Sequence, residues 1–298
     1  MIKIENYEVV GWEHAIRGMR NPMNSWEKSD SEYKCPYKLP KDDHIPYCLD
    51  DFGHSCCNVN MCVGPNDHEL MMKLANAGDD HGKVIRYLDV YVDITAPLYF
   101  WKEFRTYRKG RQFMDDGDEF TDPDALEMHI ETNSCSTMHK IHEKEFTLDD
   151  FSCEHLSVIS MNELINTIKI LNKYRDLFVN WNKKDDNTKN ALLTPVFNGV
   201  EYDKKDAWWQ MIQLLPSSYN QKRTVKLNYQ VLKNMYHARK NHKLDEWVEF
   251  CEWIEKPSSN SHSLSVKYTL ILQSGIYDIF PPRPLLCRPV IPFSFAKL

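Results

Sequence analysis

The sequence predicts an α/β fold whose C-terminal half is largely helical. Two patterns carry this prediction: a strictly alternating apolar run at residues 87–94, which is typical of a half-buried strand, and helical spacing of apolar residues between residues 161 and 256. The chain has 298 residues, 42% of them hydrophobic, which is enough for a core without disulfide or metal support. We expect a single folded domain over residues 1–256, followed by a proline-rich tail at 257–298.

Charge and hydropathy exclude several classes of protein. The 37 Lys and Arg residues against 43 Asp and Glu residues give a formal charge of −6, which provides no bulk attraction to DNA, RNA or an anionic membrane. No run approaches the roughly 18 apolar residues of a membrane span, and the first residues lack the pattern of a secretory signal. We therefore expect a cytoplasmic protein with no nucleic-acid or membrane partner, in which a local basic pocket would hold any nucleotide.

Residues 21–66 are rich in prolines, charges and cysteines, which predicts a long elaborated loop. Five of the nine cysteines fall between Cys35 and Cys62, and without an export signal we expect reduced thiols. Nearby histidines suggest zinc, but no Cys-x-x-Cys pair, the usual start of a tetrahedral site, occurs there. We therefore expect no metal and thiols packed as small apolar side chains.

The elements before the acidic region follow from local patterns. Helical spacing predicts a helix over residues 68–77 that stops at Gly78. In the alternating run, Leu88, Val90, Val92 and Ile94 share one face. Thr95 as the N-cap and Pro97 in the first turn predict a helix over residues 96–109. That helix would place Lys102, Arg105 and Arg108 on one face.

An acidic segment at about residues 110–131 interrupts the pattern, and mostly helical sequence follows. We expect helices over residues 161–181, 204–215 and 222–256, the last with a possible break near Asn241. In the first of these, Leu164, Ile168, Leu171 and either Leu177 or Phe178 face inward. The tail after residue 257 contains one strand-like run and five prolines between Pro281 and Pro292.

The local signatures of the common nucleotide-binding loops, zinc proteases and serine hydrolases are missing from the sequence. One polar segment remains where Arg105 and Arg108, one helical turn apart, can hold a phosphate. Ser134, Ser136 and Thr137 add short donors. The alternative interpretation is a solvated basic helix face followed by a Ser/Thr-rich turn.

A second polar segment follows Leu215-Pro216. Asn228 and Arg239 are 11 residues apart, and on a continuous helix they lie within about 20° of one another. Asn234 lies about 120° away, so one ligand touches all three only by wrapping the helix or by bridging two subunits. The alternative is an ordinary amphipathic helix with exposed polar positions.

Together these segments resemble the flavin-dependent thymidylate synthases of the ThyX type over residues 70–247. Ala96-Pro97 leads into Arg105-Thr106-Tyr107-Arg108, where the family has its Arg-His-Arg motif. Asn133-Ser134-Cys135-Ser136 is similar to the continuation of that motif. The last similarity is Leu215-Pro216 followed by Asn228, Asn234 and Arg239.

The resemblance implies a curved mixed sheet flanked by long helices, assembled as a homotetramer. It implies methylation of dUMP to dTMP with FAD, NADPH and methylene-tetrahydrofolate. The resemblance assigns FAD to Arg105, Arg108, Asn228 and Asn234, and dUMP to Asn133, Ser134, Ser136 and Arg239. Arg239 would stabilise negative charge that develops on the pyrimidine, and Ser136 would orient the substrate rather than act as a nucleophile.

Two alternatives remain open at this point. Thr106, Tyr107 and Ser134 replace the motif's Arg, His and Glu, which is compatible with a ThyX-like protein that binds nucleotide or flavin without methyl transfer. The other alternative is a purely structural or interaction protein.

Overall fold

The computed structural model describes residues 2–34, 60–78, 80–107, 130–193 and 203–255, and every structural statement below concerns these residues. The strands are β1 (Lys3–Val10), β2 (Glu32–Lys34), β3 (Asn60–Cys62), β4 (Asp89–Pro97), β5 (Glu131–Ser134) and β6 (Asn220–Asn228). The helices are α1 (Trp12–Arg20), α2 (Pro65–Asn76), α3 (Leu98–Phe104), α4 (Val158–Val179), α5 (Asp186–Leu193), α6 (Lys204–Leu214), α7 (Tyr229–Arg239) and α8 (Asp245–Glu255).

The predicted α/β class is confirmed. Four strands form the main sheet in the order β1-β4-β6-β5, and β2 pairs with β3 in a separate ribbon. Every strand pairing in the described residues is antiparallel, so the expectation of a mixed sheet is wrong. No helix in the described ranges is both long and apolar enough to cross a membrane.

The two faces of the main sheet differ in polarity because strand side chains alternate. On one face Val90, Val92 and Ile94 are at most 1% exposed and form one core with residues from α1, α2, α3, α7 and α8. On the other face Asp93 accepts hydrogen bonds from the side chains of Asn6 and Thr224 at 3.0 and 2.7 Å. These five helices therefore pack against one side of the sheet, and the other side is polar. The buried residues of α4, α5 and α6 form two separate apolar clusters.

The helix expected over residues 222–256 is wrong in its first fifth, residues 222–228. Residues Asn220–Asn228 form β6, which pairs with β4 over nine residues and with β5 over four. Val225 and Leu227 alternate with polar residues, so the period of two dominates, and the helical pattern begins only at Tyr229. Asn228 is extended and precedes α7, so the argument that it shares a helical face with Arg239 fails.

The helix expected over residues 96–109 is shorter. β4 continues to Pro97, which serves as the N-cap in place of Thr95, and α3 ends at Phe104. The indole N–H of Trp101 donates to the carbonyl oxygens of Ala96 and Gln221, both at 3.0 Å, and holds α3 against the strands. Arg105 therefore follows the helix, and Arg108 lies outside the described residues.

The other predicted helices are confirmed. α2 begins at Pro65 and is followed by Gly78 with φ of 97°; α6 ends one residue before the prediction. α4 begins at Val158 because Ser157 caps it, accepting from the backbone N–H of Ser160. Leu164, Ile168, Leu171 and Leu177 are buried as expected. Most of the cysteine-rich loop and the whole proline-rich tail lie outside the described residues.

A buried ion pair joins α1 to α2. Asp67 is fully buried and accepts from Arg20 Nε at 2.6 Å, from the hydroxyls of Ser29 and Ser31 at 2.7 and 2.6 Å, and from two backbone N–H groups. Burial alone raises the pKa of Asp67, but the hydrogen bonds from Ser31, Ser29 and Arg20 outweigh it and hold the pKa below its ordinary value. This carboxylate therefore stabilises the packing of three chain segments.

We expect Asp67→Asn to destabilise the fold by about 3–5 kcal/mol, because the buried guanidinium of Arg20 loses its counter-charge. The carboxylate pKa is lowered by folding, so the difference from wild type is complete above the ordinary pKa of 3.8 and shrinks as the pH falls below it. Urea unfolding between pH 2.5 and 7 measures this. Glu13→Gln, which breaks the exposed ion pair with Arg17, is the matched control and should have little effect; an equal loss there would contradict the interpretation.

Candidate functional site

Three arginines gather around the C-terminal end of α3. Arg105 directly follows this helix, Arg239 ends α7, and Arg223 lies on the core-facing side of β6. Arg223 is close enough to Arg105 for their charges to interact, and Arg239 contacts the residues two positions before and two positions after Arg105. We call Arg105, Arg223 and Arg239 the arginine cluster.

Arg239 is held in a fixed orientation. Its Nη1 lies 3.0 Å from a carboxylate oxygen of Glu103, and its Nε donates to the hydroxyl of Tyr107 at 2.5 Å. The guanidinium lies 5.1 Å from the ring centre of Trp247 and 5.3 Å from that of Tyr107. Glu103 also accepts from the indole N–H of Trp247 at 3.1 Å. The plane of Arg239 is thus set by Glu103 and by two aromatic rings.

Arg223 is the most constrained member of the cluster. It is only 5% exposed, its guanidinium stacks 4.4 Å from the ring centre of Trp101, and its Nε and Nη2 donate to Gln221 Oε1 at 3.0 and 2.8 Å. Its Nη1 is buried with no hydrogen-bond partner among the described residues, which costs about 1–3 kcal/mol for such a donor. Burial and, secondly, the charge of Arg105 lower the pKa of Arg223 to about 10.

The second half of the predicted motif lies beside Arg223. Ser134 pairs with Arg223 across β5 and β6 and is exposed, while Asn133 pairs with Thr224 on the other face. The carbonyl oxygen of Cys135 accepts from Gln221 Nε2 at 2.6 Å. Ser136 Oγ accepts from the backbone N–H groups of two following residues at 3.3 and 2.9 Å, so it closes a turn.

The two predicted asparagines make hydrogen bonds to residues of α7. Asn228 is its N-cap, 3% exposed, and its Oδ1 accepts from the backbone N–H of Val231 at 3.0 Å. Asn234 accepts from Gln230 Nε2 at 3.1 Å. Five residues of extended strand separate Asn228 from Arg223, about 17 Å. Within one chain, Asn228 therefore lies far along the strand from Arg223.

The structure brings Arg239 beside the residues that flank Arg105, although more than 130 residues separate the two arginines, and it places Ser134 opposite Arg223. It does not bring Asn228 to these residues within the chain. Sequence reasoning missed Arg223 because residues 222–256 were interpreted as helix. The available signal was the alternation of residues 220–228, in which a charged residue occupies the same face as Val225 and Leu227.

The histidines and cysteines in the described part of the chain form no cluster of three or more groups able to hold a metal. The candidate ligands from Cys35 to Cys57 lie outside the described residues. His68 is partly buried, and burial lowers the pKa of its imidazole, which favours the neutral ring.

Comparison with known proteins gives a weak structural likeness. No family model and no curated protein matches the chain. A crystal structure of thymidylate synthase X from Helicobacter pylori with FAD and dUMP is 14% identical, with a TM-score of 0.46 over 91% of this chain and 99% of that chain. A second structure of the Helicobacter pylori flavin-dependent thymidylate synthase, complexed with FAD and dUMP, is 15% identical, with a TM-score of 0.47 over 90% and 99%. Likeness at this level assigns neither a family nor a function.

The capping contact of Asn228 predicts how its variants behave. We expect Asn228→Ala to destabilise the fold by about 1–2 kcal/mol, because α7 loses the acceptor for its first turn. Asn228→Asp keeps that acceptor and should recover most of the stability. Thermal and urea unfolding of both variants measures this. Equal loss in the two variants would show that the cap is not what Asn228 contributes.

Proposed function

We propose that the chain is a flavin-dependent thymidylate synthase of the ThyX type, which methylates dUMP to dTMP. The observation that carries the proposal is that Arg239 contacts Glu103 and Tyr107, on either side of Arg105, at the end of α3, although Arg105 and Arg239 are far apart in the sequence. Neighbouring guanidinium groups suit a pyrimidine nucleotide, because their paired N–H donors can bind the oxygens of a phosphate and of a base carbonyl. The motif similarity across residues 70–247 supports the same assignment.

The residues of the cluster fit a nucleotide or the diphosphate of FAD. Among the residues that the structure describes, Nη1 of Arg223 is buried without a hydrogen-bond partner, and Arg223 lies beside a second positive charge. Both features favour an anionic ligand. When bound, reduced FAD would supply hydride and methylene-tetrahydrofolate the one-carbon unit, with NADPH as the source of electrons. The chain's own residues would bind and orient the substrate.

Arg239 would polarise the pyrimidine. Glu103 and Tyr107 engage its Nη1 and Nε, and no hydrogen-bond partner for Nη2 is found among the described residues. A guanidinium fixed in this way can donate to a carbonyl oxygen of the base where negative charge develops, with little reorganisation. Ser134 and Ser136 would orient the substrate at the same edge, with Arg105 and Arg108 binding phosphate.

Self-association follows from the position of the asparagines. Asn228 caps α7 and Asn234 lies within it, both apart from Arg223. A cofactor that contacts all three side chains must therefore either span that distance or bridge two subunits. We propose a homotetramer in which FAD contacts more than one subunit. The alternative function, nucleotide or flavin binding without methyl transfer, is favoured by Ser136, whose hydroxyl oxygen accepts from its own turn.

The first test is flavin binding. The purified full-length chain reconstituted with FAD should retain the flavin absorbance bands and elute on gel filtration as an oligomer. Asn234→Ala should weaken FAD binding while leaving the melting temperature nearly unchanged, because Asn234 is not the cap. A monomer that binds FAD with full affinity would overturn the shared site, and the absence of flavin binding would overturn the proposed function.

The second test concerns Arg239. Arg239→Lys keeps a positive charge but loses the planar fork, so we expect dTMP formation to fall by two to three orders of magnitude. Lys240→Gln, the next residue along the chain, is the matched control and should retain turnover. Unfolding temperatures are measured in parallel. Near-normal turnover in Arg239→Lys, or a loss that tracks unfolding, would contradict the assigned role.

A further inference from the structure

A cavity of about 300 Å³ lies between α1 and the segment that follows this helix. The residues that line it include Glu13, Ile16, Arg17 and Arg20 from α1, and Trp26 and Ser29 from the following segment. None of these residues belongs to the arginine cluster. The cavity therefore lies outside the site described above, and its volume is at the lower end of the range for small-molecule sites.

The floor of the cavity carries a cationic donor. Arg20 is only 4% exposed, and its Nε and Nη1 donate within the protein, to Asp67 and to Ser25. Its Nη2 has no hydrogen-bond partner among the described residues but, unlike Nη1 of Arg223, it is not enclosed by protein. Because Arg20 lines the cavity, the accessible part of its guanidinium faces the cavity. Nη2 is therefore available to an oxygen atom of a ligand.

The mouth of the cavity combines a second cation with an aromatic ring. The side chain of Arg17 is 58% exposed, and its Nη1 lies 3.8 Å from a carboxylate oxygen of Glu13, which is beyond hydrogen-bond distance. Trp26 is 51% exposed, and its indole N–H donates to Asn21 Oδ1 at 2.7 Å, which fixes the orientation of the ring. An exposed ring that is already ordered can stack on a planar ligand at little entropic cost.

The charges around the cavity favour a ligand with one negative charge. Arg17 and Arg20 supply two positive charges, and Glu13 and Asp67 supply two negative charges beside them. A dianion such as phosphate would be repelled by these carboxylates without an excess of cations to offset the repulsion. A carboxylate carries a single charge, and its two oxygens match the N–H donors of guanidinium groups.

We propose that this cavity binds a small aromatic carboxylate. The carboxylate accepts from Arg17 and from Nη2 of Arg20, and the ring stacks on Trp26 and covers Ile16, which is 5% exposed. The hydroxyl of Ser29 already donates its hydrogen within the protein, so its oxygen can accept from an N–H group on the ligand. This site is independent of the proposed function, because it shares no residue with the arginine cluster.

Calorimetric titration of the full-length chain with indole-3-carboxylate, its neutral amide indole-3-carboxamide, and acetate tests the proposal. Wild type should bind indole-3-carboxylate with a dissociation constant of about 1 mM or below. The amide should bind about 10-fold more weakly because it lacks the charge, and acetate should bind more weakly because it lacks the ring. Indole-3-carboxylate should also raise the melting temperature, since it binds the folded chain.

Two variants at exposed positions locate the site. Arg17→Gln should lower the affinity for indole-3-carboxylate by about 10-fold through the loss of charge-assisted hydrogen bonds. Trp26→Leu should lower it by about 5-fold through the loss of stacking. Lys28→Gln is the matched control, because it removes a positive charge from the short helical turn Trp26–Lys28 at a position that does not line the cavity. It should leave the affinity unchanged.

Arg20→Lys tests the floor of the cavity, because it keeps a positive charge opposite Asp67 but lacks Nη2. It should weaken binding in the same direction as Arg17→Gln. If Arg20→Lys fails to fold, Arg17→Gln and Trp26→Leu decide the matter, and thermal unfolding without ligand shows that these variants are folded. Equal affinity of wild type for the carboxylate and the amide, no binding of the carboxylate at about 10 mM, or wild-type affinity in both folded variants would overturn the proposal.

Discussion

The pairing of β4 with β6 is the constraint on which the site depends. The strands run antiparallel over nine residue pairs, so Pro97 and Asn228 lie at opposite ends of the sheet. Each strand leads directly into a helix on the same face. α3 advances about 10 Å and α7 about 16 Å, which together nearly match the roughly 30 Å length of a nine-residue strand. The two helices therefore end near one another, and Arg239 meets Glu103.

Sequence patterns predicted those parts of the fold where one period dominates. The strand around Val90 and Val92 and the helix around Leu171 each bury apolar side chains on one face only. The sequence pattern located both elements correctly. β1 was missed because Asn6, with φ of 49° and a register shift nearby, breaks its alternation. β5 was missed because all four of its residues are exposed. Neither strand has a continuous apolar face, so the sequence pattern did not predict either of them.

Of the arginine cluster, Arg105 and Arg239 were predicted from local motifs, but their proximity was not. That proximity depends on where α3 and α7 end. α3 ends five residues before the prediction, whereas the break expected near Asn241 does follow α7. Arg223 was hidden by the misassigned helix. Asn228 and Ser136 show a different limit of prediction from motifs. Both were selected by their spacing in the sequence, but each also binds the local backbone: Asn228 as an N-cap and Ser136 in a turn.

The short edge strand also determines how the chain tolerates a change of length. Arg223 lies beside both Arg105, where α3 has just ended, and Ser134, on the strand through which the chain returns to the sheet. Arg105 and Ser134, one before and one after residues 108–129 in the sequence, thus both lie beside one side chain. For a flexible connection, doubling its length adds only about 0.6 kcal/mol of closure entropy. This junction can therefore accept long insertions or deletions during evolution while the strand order of the sheet is preserved.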